Sequence, residues 1–312
     1  MPVDIPTGEV LYDRALTNNP ITHSEPIVMI QFWHWWQHLP EHMNPVIFQI
    51  GSFRLQYYGL MYLVAFGITY ALATYRIKKE PRWNLSQEHL QGMLTAMIIG
   101  LVVGARLGYV LFYNLGYYAK HPLEIILPFS FKGGIHFTGI SGMSYHGGLI
   151  CTIIGAWWYI RKYHLNFREM ADLLIPCIPL AYTFGRLGNF INGELWGRVT
   201  SVPWGMYFPS GGPFLRHPSQ IYEAFGEGIV LFIVLWNLRK RVHTSGAMLP
   251  LYLIGYGTIR FIIEFFRQPD EQLGFIVLGF SMGQLLCAAM ILGGIGFYWF
   301  LMHAGPSGKR RK

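Results

Sequence analysis

The chain has 312 residues, of which 52% are hydrophobic and only 13% are charged. Soluble proteins carry about 25% charged residues, so this composition excludes an ordinary soluble domain and indicates a protein of the bilayer. The net charge of +8 does not indicate a nucleic-acid-binding protein, because the basic residues fall in short clusters between apolar runs. The three cysteines lie within apolar runs without metal-like or redox-like spacing, which predicts small buried hydrophobes.

Residues 1–43 form a predicted N-terminal extension in which acidic residues outnumber basic ones. The extension lacks the basic start and the small-residue cleavage site of a signal peptide. Its segment 27–39 is rich in tryptophan, which is typical of a helix lying in the membrane interface. His34 and His38 have the spacing of two metal ligands on one helical face, but Pro40 would end the helix before a third histidine. A plain interfacial helix is therefore favoured over a metal site.

Seven apolar segments follow, and each except the longer last one has about the 20 residues that a bilayer requires. They lie at approximately 58–75, 93–112, 147–163, 170–184, 221–238, 247–266 and 275–302. The predicted fold is an all-α polytopic membrane protein, with seven transmembrane helices in 44–303 and a basic tail at 304–312. In the second segment Gly100, Gly104 and Gly108 recur at four-residue spacing, which predicts close helix packing within the chain or between chains.

Clusters of lysine and arginine follow the first, third and fifth segments and end the chain. Such clusters concentrate in cytoplasmic loops, so the C-terminus is predicted to be cytoplasmic and the N-terminus to lie on the opposite, outward side. The loops at 133–148 and 189–218 then also face outward and form a small head. The polar motifs outside the spans all gather on that side.

The least lipid-like stretch is 185–198, which reads GRLGNFINGELWGR. Its glycines permit tight turns and close approach of a ligand, and its arginine and asparagine side chains supply donors for phosphate or carbonyl oxygens. The stretch therefore predicts a site for an anionic head group. The alternative is a helix end followed by a solvated polar loop.

Several ionisable side chains fall within or at the ends of the predicted spans. Each costs about 2.5 to 3.5 kcal/mol on insertion scales, so each is expected to face an interior cavity with a partner. The spacing of Tyr256, Arg260, Glu264 and Arg267 places them on one helical face. Mutual neutralisation of Arg260 and Glu264 inside the bundle is the structural alternative. The ionisable residues concerned are Arg106, Arg186, Glu223, Glu227, Arg260 and Glu264.

Two further polar motifs flank apolar segments. In the motif SYHGGL, which precedes the third span, glycines expose His146, which is a candidate proton acceptor or a polar anchor at the interface. The motif RHPSQIYE begins the fifth span, where Pro218 and Ser219 are typical of a helix N-terminus followed by a capping carboxylate. We interpret this second motif as partly a helix cap and partly a component of the site.

These motifs together resemble the bacterial prolipoprotein diacylglyceryl transferases. The resemblance rests on 145–149, 185–198, 217–223 and 260–264 and covers about 44–303. It implies a seven-span enzyme of the bacterial inner membrane with a periplasmic N-terminus, in agreement with the charge distribution. The implied reaction transfers the sn-1,2-diacylglyceryl group of phosphatidylglycerol to the lipobox cysteine of a prolipoprotein. A thioether forms and glycerol phosphate leaves, as the first step of lipoprotein maturation.

The resemblance also implies the site residues. The implied catalytic residues are His146, Arg186, Arg260, Tyr58 and Tyr256. Tyr57 precedes Tyr58, but the following Gly59 favours Tyr58 as the tyrosine of the family's Tyr-Gly-Leu motif. The implied partners are phosphatidylglycerol, prolipoprotein signal peptides with a lipobox cysteine and membrane lipids, with no nucleic acid, metal or other cofactor. The implied substrate-binding residues are Arg186, Asn189, Glu194, Gly197, His217 and Glu264.

The predicted chemistry follows from these side chains. Displacement at a glycerol carbon leaves charge on the phosphate, which Arg186 and Arg260 are expected to hold from two helices. The incoming thiol has a free pKa of about 8.5 and must lose its proton. His146 either accepts that proton or only orients the lipid.

Two other classes of function compete with this interpretation. A transporter or channel for an anionic solute would also place arginines and broken helices in the membrane. The lack of internal duplication and the gathering of polar motifs on one side count against it. A purely structural scaffold would give no reason to tolerate Arg106, Arg186 and Arg260 as arginines without partners.

Overall fold

The protein is predominantly helical in the computed structural model, which describes residues 24–51, 53–127, 129–130, 136–137, 142–268, 275–277 and 279–303. Among these residues, four helices are long and apolar enough to cross a membrane: Tyr57–Lys79, Gln87–Tyr113, Ser219–Leu238 and Met282–His303. A shorter apolar helix covers Met248–Ile263. These helices confirm a helical, multi-pass membrane protein. The predicted basic tail at 304–312 and the first 23 residues of the extension lie outside the described residues.

Short β-hairpins and 3-10 turns interrupt the helices. The hairpins are antiparallel pairs: β1 (Val46–Ile50) with β2 (Phe53–Gln56), β3 (Phe129–Ser130) with β4 (His136–Phe137), and β5 (Phe275–Val277) with β6 (Phe280–Ser281). The 3-10 turns are Leu39–His42, Pro122–Ile125 and Ile175–Cys177, and a π-helical segment covers Ala224–Val230. The helices are α1 (Ser24–His38), α2 (Tyr57–Lys79), α3 (Gln87–Tyr113), α4 (Leu115–Tyr118), α5 (Tyr145–Lys162), α6 (Phe167–Leu174), α7 (Ile178–Ile191), α8 (Ser219–Glu223), α9 (Leu231–Leu238), α10 (Met248–Ile263) and α11 (Met282–His303).

Polar side chains fix where several helices begin. The Ser144 hydroxyl accepts a hydrogen bond from the Gly147 backbone N–H at 3.3 Å, which caps α5 and places His146 in its first turn. The Asn166 amide oxygen accepts from the Arg168 N–H at 3.0 Å and caps α6 in the same way. These capping side chains therefore determine where α5 and α6 begin.

The predicted fourth span is not one continuous helix. It consists of α6, a 3-10 turn at Ile175–Cys177 and α7, because Pro176 and Pro179 lack the N–H groups that a regular helix needs. The expected end of this span at residue 184 is wrong, since α7 continues to Ile191. The first half of the 185–198 stretch is therefore helical, and Gly188 allows α7 to pack against the Tyr58 ring on α2. The predicted seventh span likewise begins later, at Met282, after the β5–β6 hairpin.

The glycine ridge of α3 packs against α5 within the chain. A β-carbon at Gly104 would collide with the Gly147 carbonyl oxygen and the Cys151 side chain. A β-carbon at Gly108 would lie 2.8 Å from the Gly147 α-carbon. Backbone atoms stand on both sides of this contact, so the predicted close approach of helices at this ridge is confirmed.

An ion-pair network fixes the end of α2 that lies opposite Tyr58. Arg76 is fully buried and donates to the backbone oxygens of Asp172 at 2.7 Å and Leu173 at 2.6 Å. The Glu80 carboxylate contacts Arg76 Nη2 at 3.1 Å and Arg239 Nε at 2.9 Å. Burial raises the pKa of Glu80, but the hydrogen bonds from Arg76 outweigh it and hold this pKa below its ordinary value. The network joins α2, α6 and the end of α9 away from the site.

We expect Gly104→Leu to destabilise the protein, because neither the Gly147 backbone nor the Cys151 side chain has room for the added atoms. The expected loss is about 3 kcal/mol, at the upper end of the usual cost of overpacking. Gly67→Leu in α2 is the matched control, because a β-carbon at Gly67 meets no atom within 4 Å. The measurement is the midpoint of thermal unfolding in detergent. Equal midpoints for the two variants would contradict the packing described here.

Candidate active site

A single buried carboxylate joins the two arginines of the predicted site. Glu223 Oε2 lies 2.8 Å from Arg186 Nε and 3.0 Å from Arg260 Nη1. Glu223 ends α8, whereas Arg186 lies in α7 and Arg260 in α10. The Glu223 side chain is completely buried. The structure therefore brings Arg186 and Arg260 together, on one oxygen atom, from two separate helices.

Two more carboxylates and a third arginine complete this cluster. Glu227 Oε1 lies 3.4 Å from Arg260 Nη1, and Glu264 Oε2 lies 3.2 Å from Arg260 Nη2. Arg267 Nε lies 3.9 Å from Glu223 Oε1, close enough for an ion pair but too far for a hydrogen bond. We call these six residues the arginine–glutamate cluster: Arg186, Arg260, Arg267, Glu223, Glu227 and Glu264. Its formal charges balance.

The mutual pairing of Arg260 and Glu264, which the sequence offered as a structural alternative, is present, but it is not the whole arrangement. Arg260 contacts three carboxylates, and Glu264 also accepts a hydrogen bond from the Ser281 hydroxyl at 3.1 Å. Ser281 ends the β5–β6 hairpin, so this hairpin helps to hold Glu264. The pair belongs to a larger network.

Tyr182 is a component of the site that the sequence analysis missed. Its hydroxyl accepts from Arg186 Nε at 2.5 Å and donates to Glu227 Oε2 at 2.5 Å. The Tyr256 ring stands edge-on to the Tyr182 ring, with centroids 6.1 Å apart. The available signal was spacing, since Tyr182 lies one helical turn before Arg186. Tyr256, a predicted catalytic residue, therefore contacts Tyr182, and Tyr182 in turn contacts the cluster.

Asn189 connects the cluster to the surface. Its amide oxygen accepts from Arg186 Nη1 at 3.3 Å, and its amide nitrogen donates to Glu194 Oε1 at 2.7 Å. Asn189 is buried, whereas Glu194 is exposed. Among the predicted substrate-binding residues, Asn189 therefore contacts an arginine of the cluster and Glu194 contacts Asn189.

Gly197 occupies a position where no side chain fits. A β-carbon there would lie 2.5 Å from the Phe266 carbonyl oxygen and 2.7 Å from the His217 β-carbon. The Gly197 N–H donates to the His217 oxygen at 2.8 Å, and Gly197 forms a β-bridge with Arg267. This glycine lets the second half of the 185–198 stretch pack against the segment that carries Arg267. Its observed role is close backbone packing.

His217 lies next to the cluster without touching it. Its Nδ1 atom is 3.1 Å from the Tyr222 hydroxyl, and Tyr222 immediately precedes Glu223. Burial lowers the pKa of His217, so its ring is neutral at pH 7. A neutral ring suits a hydrogen bond with tyrosine better than it suits an ion pair with phosphate.

The predicted Tyr58 and His146 do not contact the cluster. The Tyr58 hydroxyl lies 3.1 Å from the Tyr62 hydroxyl, and the Tyr58 ring packs near Gly188 one turn from Asn189. His146 is exposed and makes a ring contact with Tyr145, with centroids 5.6 Å apart. Within the described part of the chain, no hydrogen bond or ion pair joins His146 to the cluster. Its role as a base stays a prediction.

The expectation that each ionisable residue within a span has a partner is confirmed for three arginines, whereas the description of these arginines as unpaired, used against a structural scaffold, is wrong. Arg186 and Arg260 pair with glutamates, and Arg106 donates to the backbone oxygens of Ile125 at 2.8 Å and Gly142 at 3.3 Å. Spacing revealed Glu264 as a partner of Arg260, but Glu223 lies far away in sequence and the partners of Arg106 are backbone carbonyls, so spacing did not reveal these. The buried arginines alone therefore do not argue against a structural scaffold.

An apolar groove lies beside the cluster, between α8, the π-helical segment and α10. Its volume is about 400 Å³ and its lining is apolar. The side chains of the arginine–glutamate cluster are not among its lining residues, although Tyr222 and Ile259 each precede a cluster residue. The groove is lined by Ile221, Tyr222, Phe225, Gly226, Ile259, Ile262 and Ile263.

The two histidines that raised the question of a metal site are already engaged. The rings of His34 and His38 lie 4.5 Å apart between centroids, and His38 Nδ1 contacts Glu41 Oε2 at 2.7 Å. The described residues contain no group of three or more histidine, cysteine, aspartate or glutamate side chains that could hold a metal ion.

The fold and the site define a multi-pass helical membrane protein with a charge-balanced arginine–glutamate cluster inside. The family model for prolipoprotein diacylglyceryl transferase matches residues 45–300. Relatives named phosphatidylglycerol–prolipoprotein diacylglyceryl transferase include one from Chlorobaculum tepidum, 53% identical over 86% of this chain and 93% of the relative. Others are from Polaromonas sp., 42% identical over 85% and 96% of the two chains, and Coxiella burnetii, 42% identical over 84% and 97%.

The chain belongs to the prolipoprotein diacylglyceryl transferase family. It is therefore a membrane-bound transferase, and the resemblance found in its sequence is confirmed. These relatives give no support to the alternative of an anion transporter. The family match begins at residue 45, so α1 lies outside it.

We expect Glu223→Gln to destabilise the protein, because the isosteric amide removes the one negative charge that Arg186 and Arg260 share. Breaking a buried ion pair typically costs about 3 to 5 kcal/mol. The matched control is Glu169→Gln, because Glu169 is exposed. The measurement is the shift of the thermal unfolding midpoint in detergent. A shift no larger than that of the control would show that Glu223 does not hold the helices together.

Proposed function

We propose that the protein transfers the sn-1,2-diacylglyceryl group of phosphatidylglycerol to the thiol of a lipobox cysteine in a prolipoprotein. The bond between the glycerol carbon and the phosphate oxygen breaks, and a carbon–sulfur bond forms. Glycerol phosphate leaves with the oxygen, and the thiol proton goes to a base. Membership of the family supports this reaction, and the observation that carries its chemistry is the convergence of Arg186 and Arg260 on one anionic oxygen.

The proposed topology is that of a bacterial inner-membrane protein with seven spans. The N-terminus is periplasmic, the C-terminus is cytoplasmic, and the outward loops form a small head. The basic clusters after the first, third and fifth segments support this orientation. The domain division into an extension at 1–43, a catalytic region at 44–303 and a tail at 304–312 is part of the same proposal.

Arg186 and Arg260 act as a phosphate clamp in this proposal. A guanidinium group presents several N–H donors in a fixed plane and suits phosphate oxygens. Charge grows on the phosphate as the carbon–oxygen bond breaks, so preorganised donors in a dry site lower the barrier. The position of Glu223 Oε2 between the two arginines marks where an anionic oxygen is already accepted.

Binding of a phosphodiester to this cluster requires Glu223 to give up part of its contacts. The cluster is charge-balanced, so an arriving anion has to compete with a carboxylate for the same donors. Arg267 Nε has no hydrogen-bond partner among the described residues and is buried. When a phosphate oxygen replaces Glu223 Oε2 between the two arginines, the displaced carboxylate moves toward this free N–H group. Glu223 Oε1 is already 3.9 Å from Arg267 Nε.

The remaining residues act around this clamp. Asn189 orients Arg186. Tyr182 on α7 and Tyr256 on α10 line one side of the cluster. Glu264 holds Arg260, while Gly197 and His217 shape the adjoining backbone. His146 is the proposed base for the thiol, with orientation of the lipid as its alternative role. The apolar groove on α8 and α10 suits an acyl chain of the substrate.

Replacement of either clamp arginine by lysine is expected to lower kcat/KM by about 100-fold, as for loss of one donor to a developing oxyanion. Lysine keeps the charge but loses the planar group of donors. The variants are Arg186→Lys and Arg260→Lys, and Arg168→Lys on the opposite side of the bundle is the control. The measurement is lipid transfer from phosphatidylglycerol to a lipobox peptide. Unchanged turnover in both variants would refute the clamp.

The variant His146→Gln tests the base. General-base catalysis contributes about 100-fold or more, so transfer at neutral pH is expected to fall by that factor. The activity of the variant is expected to recover as the pH approaches the pKa of the peptide thiol, about 8.5, because the thiol then loses its proton without a base from the protein. A variant with nearly full activity at pH 7 would leave His146 without a role as the base.

A direct assay separates this function from solute transport. Purified protein is incubated with phosphatidylglycerol and a cysteine-containing lipobox peptide, and the peptide mass is measured. A mass increase equal to one diacylglyceryl group is expected, together with release of glycerol phosphate. Anion flux into vesicles without peptide modification would overturn the proposal. A peptide with serine in place of the cysteine is the control for thioether formation.

A further inference from the structure

The C-terminal half of α1 is attached to the loop at 203–208. Trp36 Nε1 donates to the Trp204 oxygen at 3.0 Å, and Gln37 Nε2 donates to the Pro203 oxygen at 2.9 Å. In return, the Tyr207 N–H donates to the Gln37 oxygen at 2.8 Å. Three hydrogen bonds thus join a helix outside the family match to a loop inside it.

Apolar contacts strengthen this attachment. Trp36 packs against a cluster formed by Phe190, Met206 and Phe208, of which Phe190 belongs to α7. The His38 ring stacks on the Tyr207 ring with centroids 4.7 Å apart. The docked half of α1 therefore reaches the helix that carries Arg186.

The middle of α1, residues 28–30, is apolar and exposed. The exposed fractions of the consecutive residues Val28, Met29 and Ile30 are 64%, 59% and 54%. Consecutive helical residues point about 100° apart, so these three apolar side chains cover most of the helix circumference, and the exposed Gln31 occupies the remaining direction. Phe32 and Trp35 are also exposed. A helix of this kind requires apolar surroundings.

Exposed apolar residues continue from α1 toward the first span. The β1–β2 hairpin that connects α1 to α2 exposes Phe48 and Ile50, and Ile50 is 72% exposed. The helix that follows, Tyr57–Lys79, is long and apolar enough to cross a membrane. Aromatic residues at the end of a span are typical of the membrane interface. The surroundings that fit α1 are therefore the lipid surface at the end of the bundle where α2 begins.

The loop at 203–208 also contacts the start of the fifth span. Trp204 Nε1 donates to the Tyr222 hydroxyl at 2.8 Å, and Tyr222 is followed by Glu223. Glu223 holds both Arg186 and Arg260. A continuous series of contacts therefore leads from α1 through the loop to the carboxylate at the centre of the cluster.

We propose that α1 is a membrane-interface anchor that positions the active site. Its exposed apolar residues enter the surface of the lipid bilayer, and its C-terminal half holds the 203–208 loop against Tyr222. The anchor itself is independent of the chemistry, whereas its effect on turnover rests on the function proposed above. α1 is a positioning element, because none of its described residues contacts the arginine–glutamate cluster.

The position of α1 is tested with a spin label at Met29→Cys in nanodiscs of phosphatidylethanolamine and phosphatidylglycerol, in a Cys151→Ala background. The matched control is a label at Ser201→Cys, because Ser201 is exposed in the head loop. The label at position 29 is expected to collide mainly with oxygen, which is concentrated in lipid. The label at position 201 is expected to collide mainly with a water-soluble nickel chelate. Equal access of the chelate to both labels would overturn the anchor. Shielding of Met29 only after a lipobox peptide is added would instead indicate a peptide site and also overturn it.

The positioning role is tested in the same nanodiscs with Trp36→Ala and Gln37→Ala, compared with Trp35→Ala. Trp36 and Gln37 contact the loop, whereas the neighbouring Trp35 is exposed. The first two variants are expected to raise KM about fivefold with little change in kcat, and Trp35→Ala is expected to stay within twofold. An unchanged KM, or a loss of kcat alone, would overturn the positioning role. An inactive parent protein would refute the proposed transfer reaction, while the spin-label result would still decide the anchor.

Discussion

The site depends on one shared ion contact, the carboxylate oxygen of Glu223 between Arg186 and Arg260. Two guanidinium groups from different helices would repel each other inside a bilayer protein unless an anion lay between them. Glu223 supplies that anion from a third helix. Its burial removes solvent screening, so the geometry of the three helices and the electrostatics of the site are set by the same contact.

A charge-balanced cluster suits an enzyme that binds an anionic lipid and releases an anionic product. Arginines without counter-ions would hold phosphate tightly and release it slowly, whereas arginines already engaged by glutamates exchange one anion for another. In the proposed reaction, binding energy is then available mainly where charge increases, which is the phosphate oxygen that leaves. The network around Arg76 and Glu80 is separate from this cluster and shares no residue with it, so an exchange of anions in the cluster leaves that network intact.

Much of the site could be predicted from the sequence, because its residues occur in dense local motifs. The stretch 185–198 supplied Arg186, Asn189 and Gly197, and composition alone indicated the membrane. The pairing of Arg260 with Glu264 followed from their spacing, but the shared partner Glu223 could not be predicted, because it is 37 residues from Arg186 and no periodicity connects them. The break in the fourth span was also missed, since apolar residues continue through Pro176 and Pro179 and mask the change of helix type. Conversely, the motif SYHGGL predicted His146 as a site residue, but His146 is exposed and forms no hydrogen bond with the cluster in the described part of the chain.

The π-helical segment Ala224–Val230 makes the alignment of this site sensitive to chain length. Such a segment contains one more residue than an α-helix would use over the same distance. Removing a single residue there would restore regular winding and rotate everything before it by about 100° relative to α9. Glu223 would then turn away from both guanidinium groups, while the span Ser219–Leu238 would lose only one residue of its length. Single-residue deletions in this short segment are therefore a route by which such a protein could keep its membrane fold and lose its chemistry.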